Sequence, residues 1–287
     1  MKRTAGRPDS GVGGTQAISR AFAVLHLFRD RGASIGVVEV AKELGLTLGT
    51  AHRLIRVLVA EGYLCQNEDT DRYDLGGSAF ILGQAAQESL GLNVVRPLLQ
   101  RLSDETGESV NLGMLVRGEA AVALRVESPQ PLRFSQTPGD RIRLHATSIG
   151  KALLAFNRTL EVEFDRLDEP LCQLTPKTLA TKKVLRRDLA LIRKRGWSID
   201  DEESIVGVRC IGAPILDSNG EAYAGIALQA PAVRMPDERF AELAPLVVEV
   251  GREIARLLPS GEHLGMSVNG HRVQPRQVSR PIPMPAQ

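Results

Sequence analysis

Apolar side chains recur at Ile18, Ala21, Phe22, Leu25 and Phe28, three or four positions apart, so one face of a first amphipathic helix is expected up to Arg31-Gly32. Val37, Val40, Ala41 and Leu44 repeat the pattern in a short second helix that stops at Gly45. Thr47 is a suitable N-cap for a third helix running to about Glu61, with Ala51, Leu54, Ile55 and Leu58 on one face. Gly62 closes it. Two β-prone runs, Tyr63-Leu64-Cys65 and Arg72-Tyr73-Asp74-Leu75, flank the polar stretch 67–71 and predict a hairpin. Three helices and a hairpin over 15–77 form a complete small domain, ending at Gly76-Gly77.

Helical spacing resumes over 78–106, interrupted by Gly91 and by Pro97, which can open a fresh helix in its first turn. The segment 78–91 is expected to be a linker helix between two domains. From Glu108 the period shortens to two. Strands are expected at 109–116, 120–127, near 132–136, 142–145, 197–199, 207–216 and 221–229, with helices over 148–156 and 181–195. A last helix spans about 236–258 and should kink at Pro245. Strands and helices grouped without βαβ alternation predict an α+β domain over 92–258. Residues 1–14, basic and without apolar period, read as a flexible arm; 259–287, with five prolines, read as a disordered tail.

Composition narrows the function classes. The 287 residues are 43% apolar and 24% charged, the mix of a folded globular chain. No apolar run approaches the ~18 residues of a membrane span, and the basic N-terminus lacks the apolar core of a signal peptide. Cys65, Cys172 and Cys210 are far apart, without the paired spacing of a zinc site or disulfide framework. A cytoplasmic location with no membrane partner, no metal and no cofactor is expected. The glycines of 11–14 do not change this, because no strand precedes them and no GK[ST] follows.

The net charge of +2 carries no information about partners, so charge position must. Opposite its core face, the third helix carries Gly49, His52, Arg53 and Arg56, with Leu48 at its N-terminal end and no acid between Thr47 and Glu61. With the helix before it and the Gly45 turn, this is the arrangement of a helix-turn-helix. Arginine can bond guanine or phosphate in a major groove, Gly49 permits close backbone approach, and Thr50 can bond a phosphate near the helix N-terminus. The hairpin is then a wing, with Arg72 as a phosphate or minor-groove contact; Lys2, Arg3 and Arg7 add salt-dependent affinity. The competing class is a protein-interaction adaptor whose winged helix binds no DNA.

The runs QAISRAFAVLHLF, VVEVAKELGLTLGTAHRLIRVLVAEGYL and DRYDLG closely resemble the IclR family of bacterial transcriptional regulators. So do LLQRLSDETGESVNLGML, LHATSIGKALLAF and RGWSIDDEESIVGVRCIGAPILDSNGEAYAGIAL, in the family's order over about 15–258. The resemblance implies a winged helix-turn-helix, a linker helix and a GAF-like α+β domain that senses a small organic or aromatic acid and forms dimers or dimers of dimers. It further implies a palindromic double-stranded DNA operator, repression rather than activation, and a place for RNA polymerase among the partners. Carried over by position, the ligand site is Ser148, Ile149, Asp200, Val208, Cys210, Ala227 and Gln229. Ala227 and Gln229 depart from the small hydroxyl side chains expected in sensors of 2-oxo acids, which points to a different ligand. His145, Ser148, Asp200 and Cys210 could imitate a catalytic constellation, but no GxSxG turn is present and no enzyme is expected.

Overall fold

The computed structural model describes residues 13–116 and 118–258; the expected arm lies almost wholly, and the expected tail wholly, outside them. The chain divides into two compact units between Ser89 and Leu90. In the first, α1 (Gly13–Arg31), α2 (Val37–Leu44) and α3 (Leu48–Ala60) precede a hairpin of β1 (Leu64–Gln66) and β2 (Tyr73–Leu75), and α4 (Gly77–Ser89) follows. Gly45 ends α2 in the left-handed conformation (φ 61°), which lets Leu46 N–H return to the Ala41 carbonyl at 2.8 Å and turns the chain into α3. Val24, Phe28, Ile35, Val40, Ala41, Ala51, Ile55, Leu58, Leu64 and Tyr73 form the core. Ile35 and Tyr73 exchange both backbone hydrogen bonds, at 2.9 and 3.0 Å, and fasten the hairpin to the segment before α2.

One expectation for this unit changes. The buried face of α1 is Val24 and Phe28, flanked by Leu25 and Leu27, whereas Ile18 and Phe22 are exposed. Only the last turns of α1 meet the core of this unit. In α4 no residue is buried, and Phe80, Ile81 and Leu82 are all exposed.

The second unit is one antiparallel sheet between two helical layers. Its elements are α5 (Leu92–Thr106), β3 (Ser109–Val116), β4 (Glu119–Val126), β5 (Arg141–Ile142), α6 (Ser148–Phe156), α7 (Arg158–Asp165) and α8 (Lys182–Arg195), then β6 (Ser198–Asp201), β7 (Val208–Leu216), β8 (Ala222–Pro231) and α9 (Asp237–Leu257). The strand order is β5-β4-β3-β8-β7-β6. The apolar faces of α5 and α9 pack against Leu112, Ile211, Ile226 and Leu228 on one side. On the other, α6, α7 and α8 pack around Ile149, Leu153, Leu185 and Leu189. Helix α6 lies very close to the sheet: a Cβ on Gly212 would stand 2.8 Å from the Ser148 carbonyl carbon, and one on Gly150 only 2.5 Å from the Arg143 oxygen.

Here too the sequence pattern misplaced some elements. The apolar residues of 132–136 form no strand; Pro129, Pro131 and Pro138 surround them and Leu132 is exposed. The strand expected at 142–145 is reduced to Arg141–Ile142. Helix α5 begins after Gly91 (φ 70°), not at Pro97, which sits inside it, and α9 runs continuously past Pro245. Helix α7, capped by the Asn157 side chain, was not expected at all.

Candidate DNA interface and effector site

The α3 surface is built by its cap and its periodicity. Thr47 accepts from Thr50 N–H at 3.3 Å, and the two hydroxyls lie 2.8 Å apart. Ala51, Ile55 and Leu58 face inward, which leaves Leu48, Gly49, His52, Arg53, Arg56 and Val57 on the outer side. Among the described residues no ion pair engages Arg53 or Arg56, and a Cβ on Gly49 would meet nothing within 4 Å. The glycine is therefore not required by packing within the chain. Thr50 is half-buried with its hydroxyl engaged by Thr47.

Arg72 departs from the expectation. Its guanidinium donates to the Ser34 carbonyl through Nε (3.2 Å) and Nη2 (2.6 Å) and pairs with Glu39 at 2.7 Å. Glu39 also accepts from Gly36 N–H at the start of α2, and this hydrogen bond, with Arg72, holds its carboxyl below the ordinary glutamate range. Arg72 thus ties the wing to α2 through Nε and Nη2, while its side chain stays partly exposed.

In the second unit, strand register aligns the expected ligand residues. Cys210 lies opposite Gln229 and Asp200, and Gln229 opposite Ser109; one row along, Gly212 lies opposite Ala227, and Ala227 opposite Asn111. Val208, Cys210, Ala227 and Gln229 therefore share the sheet face that carries the N-terminus of α6, where Thr147 caps Gly150 N–H at 3.0 Å. Ser148 and Ile149 occupy the first turn of that helix, whose leading N–H groups have no acceptor within the helix. Burial pushes the Cys210 thiol well above its usual range, and the Asp200 charge adds to this.

Asp200 is fully buried, and its Oδ1 accepts from the Glu203 N–H at 2.8 Å and the Ser204 N–H at 3.2 Å, while its Oδ2 accepts from the Ser204 hydroxyl. Burial raises its carboxyl to about 6. Its observed work is to organise the turn after β6.

The family models agree with this architecture in both units. The IclR helix-turn-helix domain matches residues 17–68, and the bacterial transcriptional regulator IclR C-terminal domain matches 86–256. The chain belongs to the IclR family.

It is 38% identical over 252 residues to the HTH-type transcriptional regulator BhcR of Paracoccus denitrificans, covering 87% of this chain and 89% of that protein. It is 32% identical over 246 residues to the transcriptional repressor IclR of Escherichia coli K12, covering 85% and 90%. Among solved structures, IclR of Thermotoga maritima superposes with a TM-score of 0.64 at 27% identity, over 88% of this chain and 99% of that one. As an IclR-family protein the chain is a ligand-responsive DNA-binding regulator and not an enzyme. Of the four residues that could imitate a catalytic constellation, His145 has a ring nitrogen bonded to the Cys172 carbonyl at 2.8 Å, and Asp200 accepts hydrogen bonds from its own turn. Among the described residues, no cluster of three His, Cys, Asp or Glu side chains could hold a metal ion, and no helix is long and apolar enough to cross a membrane.

Sequence reading missed two polar groups of this IclR-family sensor unit. Arg125 and Asn111 face each other across β3 and β4, on the same sheet face as Gln229, and both are buried. Lys151, also buried, contacts Glu203 at 2.5 Å and Asp188 at 2.8 Å. Burial pushes the Glu203 carboxyl up to about 7 even against the pull of the Lys151 ammonium. A charged residue inside the apolar run of β4 was the available signal for Arg125; its partner Gln229 comes from β8, a strand distant in sequence.

Proposed function

We propose that this regulator is a repressor that releases or reshapes its operator complex when the second unit binds a small organic or aromatic acid. The observation that carries the DNA half is the outer face of α3. There two arginines, without ion-pair partners among the described residues, stand beside a glycine that packing does not need. Arg53 and Arg56 are assigned to base edges or phosphates, Leu48 to an apolar base contact such as a thymine methyl, and Gly49 to close backbone approach. His52 lies on the same face, Thr50 serves the helix start, and Arg72 positions the wing.

The acid is assigned to the N-terminal turn of α6 at Ser148 and Ile149, over a floor of Val208, Cys210, Ala227 and Gln229 shaped by Asp200. The protein acts as a dimer or dimer of dimers on a palindromic site, and operator occupancy then excludes RNA polymerase. The exposed apolar residues of α4 support such self-association. Repression accords with the printed name of the Escherichia coli relative.

Fluorescence anisotropy on DNA from the protein's own upstream region, against a scrambled duplex, tests this reading. Specific binding that an acid weakens, and that Arg53→Ala with Arg56→Ala abolishes, is expected. Equal binding to both duplexes, unaffected by the arginine changes, would favour the adaptor reading.

A further inference from the structure

Arg125 is a buried cation whose hydrogen-bond acceptors are all neutral. Its side chain is 3% exposed. Nη1 donates to Asn111 Oδ1 at 2.8 Å and to Gln229 Oε1 at 2.9 Å. Nη2 donates to Ser109 Oγ at 3.2 Å and to the Phe134 carbonyl. Nε is buried without a hydrogen-bond partner, and Glu127, half-exposed, reaches no closer to it than 3.9 Å. The hydrogen bonds of the two terminal nitrogens are met, but the charge is only weakly paired. A buried guanidinium hydrogen-bonded only to carboxamide, hydroxyl and carbonyl oxygens, with its one carboxylate neighbour half-exposed at 3.9 Å, has lost its hydration for a weak counter-ion.

The surroundings suit an exchangeable counter-ion. Asn111 and Gln229 present their oxygens to Arg125, while Asn111 Nδ2 already donates to Gln136 Oε1 at 3.2 Å and to Gln229 Oε1 at 3.5 Å; rotation of either carboxamide by half a turn aims its N–H₂ at the guanidinium side instead. A carboxylate placed between them would accept from the guanidinium and from both amides. The location is continuous with the candidate effector site: Asn111 lies opposite Ala227, Ala227 opposite Gly212, and Gly212 lies beneath Ser148. Gln229, bonded to Arg125, lies opposite Cys210 in the strand register.

The geometry points to Arg125 as the residue that binds the effector's carboxylate, with Asn111 and Gln229 as switching partners that turn their oxygens to the guanidinium without ligand and their N–H₂ groups to the carboxylate with it. This rests on the proposed effector reading and refines it: the carboxylate goes to Arg125, the N-terminal turn of α6 takes another polar group of the same ligand, and a negative charge on the ligand becomes obligatory.

The test reads the acid-induced rise in melting temperature of the full chain, without DNA. Acetate, glycolate, succinate and 4-hydroxybenzoate are each compared with the corresponding amide, and every variant is referenced to its own ligand-free value. At least one acid is expected to stabilise the wild-type chain while its amide does not. Arg125→Gln should weaken the acid's half-maximal concentration by about 30-fold or more, since truncating one partner of a buried charge pair has effects of that order. Arg125→Lys should retain part of the response. Asn111→Asp keeps the guanidinium paired by supplying a resident carboxylate, so it should raise the ligand-free melting temperature and abolish the response. Equal stabilisation by acid and amide, an undiminished response in Arg125→Gln or Asn111→Asp, or no acid stabilising the wild-type chain would each overturn the assignment. If acids bind as expected but the chain prefers no DNA, the regulator reading fails alone. If acids weaken DNA binding yet act equally on Arg125→Gln, only the carboxylate assignment fails.

Discussion

Gly49 separates stability from recognition at a single position. A glycine inside a helix costs roughly 0.5–1 kcal/mol relative to alanine, and the space around this one is open within the chain. Gly49→Ala is therefore expected to raise the melting temperature, and Gly49→Leu to leave the fold intact while weakening operator binding tenfold or more. A Gly49→Leu protein that binds its operator normally would remove this surface from the interface. A second residue-scale expectation concerns Glu203 and Asp200, whose folded carboxyls are raised to about 7 and about 6 from ordinary values of 4.5 and 3.8. Between the ordinary and the raised value of each group, the folded chain holds more protons than the unfolded one. The stability contributed by the protonated groups is thus fully present below the ordinary values and is lost as pH rises through about 6 and then about 7. Thermal melts across this range should show Glu203→Gln with a shallower decline than the wild-type chain, the difference being on the order of 1 kcal/mol. A variant with an unchanged slope would show that Lys151 keeps Glu203 charged throughout.

At the scale of elements, the wing and α3 make opposite predictions about arginine. Arg72 fastens the hairpin to Ser34 and Glu39, so its loss should act on the fold. Arg72→Ala is expected to destabilise the first unit by about 1–2 kcal/mol, in line with loss of hydrogen bonds to a charged donor, and to leave the salt dependence of DNA binding unchanged. A phosphate contact would instead reduce the slope of log affinity against log salt by about one. Salt titration of the variant therefore decides between tether and contact. The same contrast explains which elements could be anticipated from sequence. Helices α2, α3, α6 and α8 carry local signals at their ends, such as Gly45, Thr47, Thr147, Thr181 and Gly196, and their expected bounds lie within a residue or so of the observed ones. Ile18 and Phe22 have the same periodicity as Phe28, yet only Phe28 meets a core, because burial depends on what the rest of the unit reaches. The residues around Arg125 escaped for the same reason: the register of β3 with β4 and β8 brings together positions more than a hundred residues apart.

For the whole molecule, the decisive property is symmetry. A single α3 reads only a few base pairs, too few to define one site, whereas a two-fold pair of such helices reads two half-sites at a fixed separation. Within the first unit, α4 leaves Phe80, Ile81 and Leu82 exposed, and the N-terminal half of α1 adds Ile18 and Phe22. This much exposed apolar surface is better explained by burial against a second copy than by permanent contact with water. If the dimer fixes the separation of its two α3 helices, spacing in the DNA must matter as much as sequence. Inserting about five base pairs between the half-sites turns one to the opposite side of the duplex and should reduce affinity to that of a single half-site. Inserting about ten restores the facing but adds roughly 34 Å, so recovery measures how far the two DNA-binding units can separate. An acid that acts by changing that separation should alter the preferred spacing, while one that merely weakens the dimer should lower affinity at every spacing alike. Anisotropy across a spacer series, with and without acid, distinguishes the two, and affinity independent of spacing would mean that each α3 binds alone.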